Sequence, residues 1–526
     1  MNDDPSTSAA VATVVSGQSD SLWREHAPPP ARDDAAAVTG ADVCVIGAGI
    51  AGLTTAWLLA REGRRVVVLD DGPLGGGETG QTSAHLSPIL GVRYLEIERM
   101  HGADGARAIA TAHRAAIDLI EQTCEREHIA CDFERLPGHL VLGRIDLPDL
   151  LHRERDALVR AHIPVEAVED LFEGGFHFGP ALRVPAQGRF HPLKYLRGLA
   201  AAFRRHGGVI DDDAHAVSVH AVKGDAVSVT LASGRTLTAN DVVVATNSPF
   251  HTTLTYHTKI APYRSYVVAF RTPPGAFGSL VWDTETPYHF VRAAPDPTGL
   301  GDYLLVGGED HKTGQETDFE DRYRARIQWA VERFAGLGEV AWRWSGQVME
   351  SVDGVDYIGQ SAGEEHVWVI TGDSGNGLTN GTLGARIVAD GILGRHNPWA
   401  KAFDAGRSPT RNVTEWMKEQ ANVAAQYFDW LRGDEVPGVA DIAAGAGAVL
   451  SHGLEKLAVY RDAQGALSAC SAVCPHAGCL VSWNNDARSW DCPCHGSRFD
   501  ARGEVINGPA VTPLSTAVRL ADVTSG

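Results

Sequence analysis

The sequence has no stretch of roughly 18 apolar residues, the length a helix needs to cross a bilayer, so no membrane span is expected. It has no basic run either: 46 Lys and Arg stand against 66 Asp and Glu, a net charge of −20. So acidic a chain is a poor ligand for phosphate backbones, which excludes nucleic acid as a partner. The opening MNDDPSTSAAVATVVSGQSDSLW starts acidic and lacks an apolar core. No secretory signal is expected there, and the expected compartment is the cytoplasm. Cysteine is scarce, 8 in 526 residues, which excludes a disulfide scaffold. Its distribution is uneven, because five of the eight fall between 470 and 494.

What is present is material for two or three domains, with 44% apolar residues. Residues 1–40 read as an N-terminal arm, packed locally through Trp23. At Ala41 an apolar run (Val43 to Ile46) is followed by a glycine turn, a helical stretch to Arg61 and a second apolar run, Val66 to Leu69. This is a βαβ unit. In the turn Gly47-x-Gly49-x-x-Gly52, Gly47 permits the sharp bend, Gly49 lets backbone approach a pyrophosphate, and Gly52 lets the helix pack on the strand. Asp70 ends the second strand, where a carboxylate can hold ribose hydroxyls. The glycine-rich loop at 72–86 suits a cofactor that continues into a ribityl chain, which favours FAD over NAD. So do the strands at 217–249, which end in Ala245-Thr246-Asn247, and the strand–turn–helix at 367–393.

Residues 41–405 resemble the FAD-dependent D-amino acid oxidase/glycine oxidase superfamily. The likeness rests on Gly47, Gly49, Gly52 and Asp70, the loop TGQTSA at 79–84, FHPLKYLRGLAAAF at 190–203, the VVVATN strand, and VDGVDYIG before GDSGNGLT. It implies noncovalent FAD held by these residues together with Thr79, Gly80, Thr82, Ser83, Val219, Ala245, Thr246, Gly372, Gly375, Gly377, Leu378 and Thr379. The implied fold is α/β (α+β): a Rossmann-like FAD region (about 41–100, 180–250 and 345–405) interleaved with an antiparallel-sheet substrate region (about 100–180 and 250–345). Relatives that oxidise amino acids often place an arginine before the DG-x-x-x-IG motif; here WSGQVMESVDGVDYIG contains none. Arg264, Tyr288, His289, Arg292 and His311 are the candidates to face the flavin. His85 lies near where some relatives attach FAD. Between 406 and 433, apolar residues at helical spacing (Val413, Trp416, Met417, Ala424, Tyr427, Phe428, Leu431) predict a linker helix docking the next domain.

Residues 434–526 read as a small all-β domain with two loops, CPHAGC at 474–479 and CPCHGSRF at 492–499. Each pairs one Cys and one His for binding with one spare Cys. Two thiolates on one iron and two imidazoles on the other is the Rieske [2Fe–2S] arrangement; a zinc site is the alternative. The segment resembles Rieske domains. The resemblance implies Cys474 and Cys492 on one iron, His476 and His495 on the other, a Cys479–Cys494 disulfide, and a cover from Gly508-Pro509-Ala510. It places a hydroxyl donor at Ser497 and a phenyl at Phe499, where high-potential members have a tyrosine. The two histidines are expected at the loop tips, with their outer nitrogens free to hydrogen-bond a redox partner or the flavin domain.

FAD beside a one-electron cluster implies oxidation of a C–N bond in an amine or amino-acid-like small molecule, with electrons leaving through the cluster to an external one-electron carrier. Two alternatives stand beside it: a Rieske-fed flavin reductase acting on an imine or other reducible substrate, and a redox-sensing protein without turnover.

Overall fold

The structure, a computed structural model, describes residues 19–25, 33, 35, 38–222, 226–252, 254–431, 433 and 435–516. The reading of residues 1–18 as free of a secretory signal lies outside them.

The expected α/β architecture is present. The Val43–Ile46 run lies in strand Gly40–Ile46, at the centre of a sheet ordered Tyr357–Gln360, Val367–Thr371, Thr236–Asn247, Gly40–Ile46, Val66–Leu69, Val209–Asp211. All neighbours in that order pair in parallel except the first two. Both faces of a parallel sheet are covered, so its strands are apolar throughout; Val66–Leu69 is buried at every position. Helix Ile50–Arg61 packs against helices Pro192–Arg205 and Gly377–Ile392. At Gly381 any Cβ would lie 3.1 Å from that of Ala51, so glycine lets two of these helices close.

A second, nine-stranded sheet carries Val340–Ser351, Ile260–Thr272, Asp302–Lys312 and His289–Pro295 side by side. It is antiparallel except where Leu280–Asp283 meets Glu134–Val141. Helix Arg93–Glu127 is broken at Gly102 (φ 70°, ψ 170°). The C-terminal domain is all β, with one sheet of three strands and one of four.

Residues 19–25 pack through Trp23 as expected: Trp23 is buried and its Nε1 donates to the Thr82 carbonyl (2.7 Å), while Arg24 donates to that of Gly76 (2.9 Å). The segment braces the glycine-rich loop. The predicted linker helix exists as Val413–Gln426 with a 3-10 turn, Tyr427–Leu431, and Val423 packs on the core of the C-terminal domain, but most of the helix's apolar positions face out. Val413, Met417, Tyr427 and Phe428 are exposed, and the buried position is Glu419. Glu419 pairs with Lys312 and accepts from the Tyr263 hydroxyl (3.3 Å). The surface under the helix is polar, and this selects the polar stripe. The segment reaches the C-terminal domain through hydrogen bonds, Tyr427 to the Ala477 carbonyl (2.8 Å) and Trp430 to that of Gly478 (3.3 Å).

Candidate active site and metal centre

The C-terminal ends of the parallel strands open into one large cavity. Gly47, Gly49, Asp70, Thr79, Thr82, Ser83, Ala245, Thr246, Gly375, Gly377 and Leu378 line it together. Gly47 has φ +107°, and a Cβ there would lie 2.4 Å from the Ala245 carbonyl oxygen. At Gly52 a Cβ would lie 1.8 Å from the Gly47 oxygen, so this glycine serves helix–strand packing. Asp70 accepts from the amides of Ala48 (2.5 Å) and Gly72 (3.1 Å). The Ile50 amide, in the first turn of its helix, donates to the Thr79 hydroxyl (3.1 Å). This helix N-terminus and glycine cradle fit a dinucleotide.

Five predicted positions stand back from the lining: Gly52, Gly80, Val219, Gly372 and Thr379. Val219 is a core residue of its strand, and the lining residues beside it are Ala214, His215 and Ala216. Gly80 sits beneath the Gly75 carbonyl, Gly372 packs by Ile260 and Tyr357, and the Thr379 hydroxyl turns back onto the Asn376 carbonyl. His85 is set against Phe290, with Nδ1 held 3.0 Å from the Ser83 hydroxyl.

On the substrate side, Ser265, Val267, Tyr288, Phe290 and Val348 line the cavity. Of the five candidates to face the flavin, Tyr288 alone lines the cavity. Successive side chains of a strand point to opposite faces, and Arg264 and His289 each adjoin a lining residue. Arg264, next to Ser265, is buried on the far side, where it donates to Ser345 and meets the charges of Asp491 and Asp486. His289, next to Tyr288, pairs with Asp283 (2.6 Å) and stacks on Trp329 at 4.4 Å. His311 lies 2.9 Å from the Tyr266 hydroxyl. Arg292, also a candidate, donates to the Ala84 carbonyl. The sequence reading missed Asp310, which accepts from the Tyr288 hydroxyl (3.0 Å). It also missed Glu350, two residues along the same face from Val348. Burial, then the charges of Asp310, Asp373 and Glu419, pushes Glu350 up to about 8. No arginine or lysine lines the cavity among the described residues.

The two Cys/His loops meet beside this cavity. Cys479 and Cys494 form a disulfide, with Cα atoms 6.4 Å apart. Cys474 and Cys492 are free, buried and adjacent. The Cys492 thiol, backbone amides of His476 and Ala477 and the Ser497 hydroxyl hold Cys474 below the usual thiol value, against its burial. The rings of His476 and His495 lie 5.0 Å apart, and the His495 Nδ1 is buried without a partner. Two thiols in a nest of donors and an imidazole nitrogen with nothing to bind fit a His₂Cys₂ cluster. Of the two expected neighbours, the flavin-binding region is the one that meets these rings. His495 is buried, and both rings pack on His257, at 5.0 and 5.5 Å.

The C-terminal domain closes one wall of the cavity. Val505, Ile506, Asn507, Gly508, Ala510 and Val511 line it. Gln347 donates to the Gly496 carbonyl (3.0 Å), and His215 lies 2.9 Å from that of Val511.

Comparison with known proteins accords with both halves. Residues 42–391 match the family described as FAD dependent oxidoreductase, and residues 435–518 match the Rieske [2Fe-2S] domain. A Rieske 2Fe-2S iron-sulfur protein of Bacillus subtilis, YhfW, is 28% identical over 94% of this chain and 97% of its own. Gamma-glutamylputrescine oxidoreductase of Escherichia coli is 25% identical over 69% of this chain and 85% of its own. Glycine oxidase of Geobacillus kaustophilus shares the fold, with TM-score 0.59 and 18% identity over 70% of this chain and 100% of that one. The chain belongs to the FAD dependent oxidoreductase family and carries a Rieske domain, and its cofactors are FAD and a [2Fe–2S] cluster.

Proposed function

We propose that the chain oxidises a C–N bond of an amine or amino-acid-like substrate and sends the electrons singly through its Rieske cluster to an external carrier. One observation carries the reading: the cluster loops pack on the flavin cavity's own wall, with His476 and His495 against His257 and residues 505–511 in the lining. Bound FAD supplies a hydride acceptor, and the cluster supplies a one-electron carrier.

In this reading Gly47, Gly49 and the first amides of helix Ile50–Arg61 hold the pyrophosphate, and Asp70 holds the ribose. Gly375, Gly377 and Leu378 support the ribityl chain and ring. Cys474, Cys492, His476 and His495 hold the cluster. At the substrate end, carboxyls without a lysine or arginine favour a basic nitrogen over a carboxylate. Hydride loss requires a neutral amine, so a base must first take the ammonium proton. Glu350, two residues from the lining Val348 on the same strand and pushed up to about 8, is the base this reading assigns. The likeness to gamma-glutamylputrescine oxidoreductase supports an amine.

The test is an anaerobic screen of amines with flavin absorbance as readout. Bleaching by an amine is the expected result. Bleaching by a reduced one-electron carrier alone would reverse the direction, and bleaching by neither would leave a protein without turnover.

A further inference from the structure

Three imidazoles from three separate segments meet where the domains touch. His257 comes from the loop after strand Thr236–Asn247, and His476 and His495 come from the two cluster loops. Ring centroids lie 5.0 Å apart for His257–His476, 5.5 Å for His257–His495 and 5.0 Å for His476–His495. His257 is 2% exposed, and its Nε2 stands 2.8 Å from the Pro249 carbonyl oxygen. A carbonyl only accepts, so Nε2 carries the proton and Nδ1 keeps a lone pair. That Nδ1 is buried and has no hydrogen-bond partner among the described residues. An unmet buried acceptor is costly, so a donor is expected.

Two imidazoles face this ring. An imidazole that binds iron through one nitrogen keeps an N–H on the other. We infer that His257 Nδ1 accepts a hydrogen bond from the outer N–H of one cluster-ligating imidazole and so ties the cluster to the wall of the flavin cavity. Pro249, the acceptor of the other His257 nitrogen, follows the lining residue Ser248. The link from ligand imidazole to cavity wall is therefore one side chain long. His257 is a positioning residue: it holds the imidazole edge of the cluster toward the flavin and leaves that edge closed to an outside partner. The inference rests on the cluster being held at His476 and His495.

His257→Phe keeps a ring and removes both nitrogens, whereas His257→Gln keeps one donor and one acceptor. An acceptor on a ligand N–H makes the ligand more electron-rich. The Phe variant, with FAD and iron at wild-type content, is therefore expected to show a raised cluster midpoint potential and shifted electron paramagnetic resonance g-values. His257→Gln should return these values toward wild type. An unchanged potential and spectrum in the Phe variant would overturn the inference. A measurement on the wild type stands whether or not that variant folds. The bonded N–H is withdrawn from water, so electron-nuclear double resonance of the reduced cluster in deuterium oxide should find one ligand N–H exchanging slowly. Fast exchange at both would overturn the inference. A wild-type protein without an imidazole-ligated cluster signal would overturn the ligand assignment and the inference together.

Discussion

The imidazole of His257 stands edge-on to that of His476, with centroids 5.0 Å apart and planes at 75°. One ring belongs to the flavin-binding region and the other to a cluster loop, so the cluster's histidine edge turns inward. Donors from outside the Rieske domain steady the two loops: Gln347 of the flavin-binding region reaches the Gly496 carbonyl and Tyr427 of the linker reaches that of Ala477. The Rieske domain is thus part of the cavity it serves.

Gly49→Val should strip FAD and leave the cluster. A Cβ at Gly49 would lie 3.0 Å from the Thr79 hydroxyl, so valine displaces Thr79 from the Ile50 amide and fills the pyrophosphate's approach. Losing one such bond weakens binding about 10-fold per 1.4 kcal/mol. Flavin absorbance after gel filtration and the cluster's resonance signal read the two outcomes separately.

Cys492→Ser should lose the iron and keep the FAD, because Cys492 belongs to the cluster loops and not to the cavity lining. Cys494→Ser opens a link across 15 residues, which in the chain-entropy account is worth about 3 kcal/mol. Thermal melting of the holoprotein, with and without reductant, measures the second effect.

Ser497→Ala should lower the cluster potential. The buried Ser497 oxygen accepts from the Ala510 amide (3.0 Å), which leaves its proton for the Cys474 sulfur. A donor to sulfur stabilises the reduced, more negative cluster. Phe499→Tyr should act in the opposite direction. Redox titration of both variants checks the signs.

Glu350 sets a pH dependence in the FAD-free protein. Its folded value of about 8 lies above the unfolded carboxylate value of 4.5, so the unfolded chain loses this proton first. Stability should therefore fall as pH rises from about 4.5 to about 8, by an amount on the order of 1.4 kcal/mol per unit for this group. Glu350→Gln should flatten that decline in denaturant titrations at pH 6 and pH 8.

The sequence carried the cofactor sites because their chemistry is local. Gly47, Gly49 and Asp70 sit on one strand–turn–helix, and Cys474, His476, Cys492 and His495 on two short loops. Substrate-side residues were legible only to within one position. Alternation in Ile260–Thr272 shows that Arg264 and Ser265 point oppositely, but not which face meets the cavity. Four of the five candidates, the arginines and histidines, stand off the lining, and Ser265 lines it in place of Arg264. The facing of helix Val413–Gln426 was illegible for a related reason: the polar surface beneath it, Tyr263 and Lys312, comes from strands 100 or more residues earlier. His257 had no signal at all, because its two partner rings lie more than 200 residues away along the chain.

The central claim is that flavin and cluster exchange electrons within one chain. Rapid mixing of the oxidised holoprotein with a bleaching amine under anaerobic conditions, followed by freeze-quench electron paramagnetic resonance, tests it directly. The account predicts that the signal of the reduced imidazole-ligated cluster grows in with flavin reduction, at a rate independent of protein concentration. A reduced flavin beside a cluster that stays oxidised, or a cluster reduced at a rate proportional to protein concentration, would contradict it.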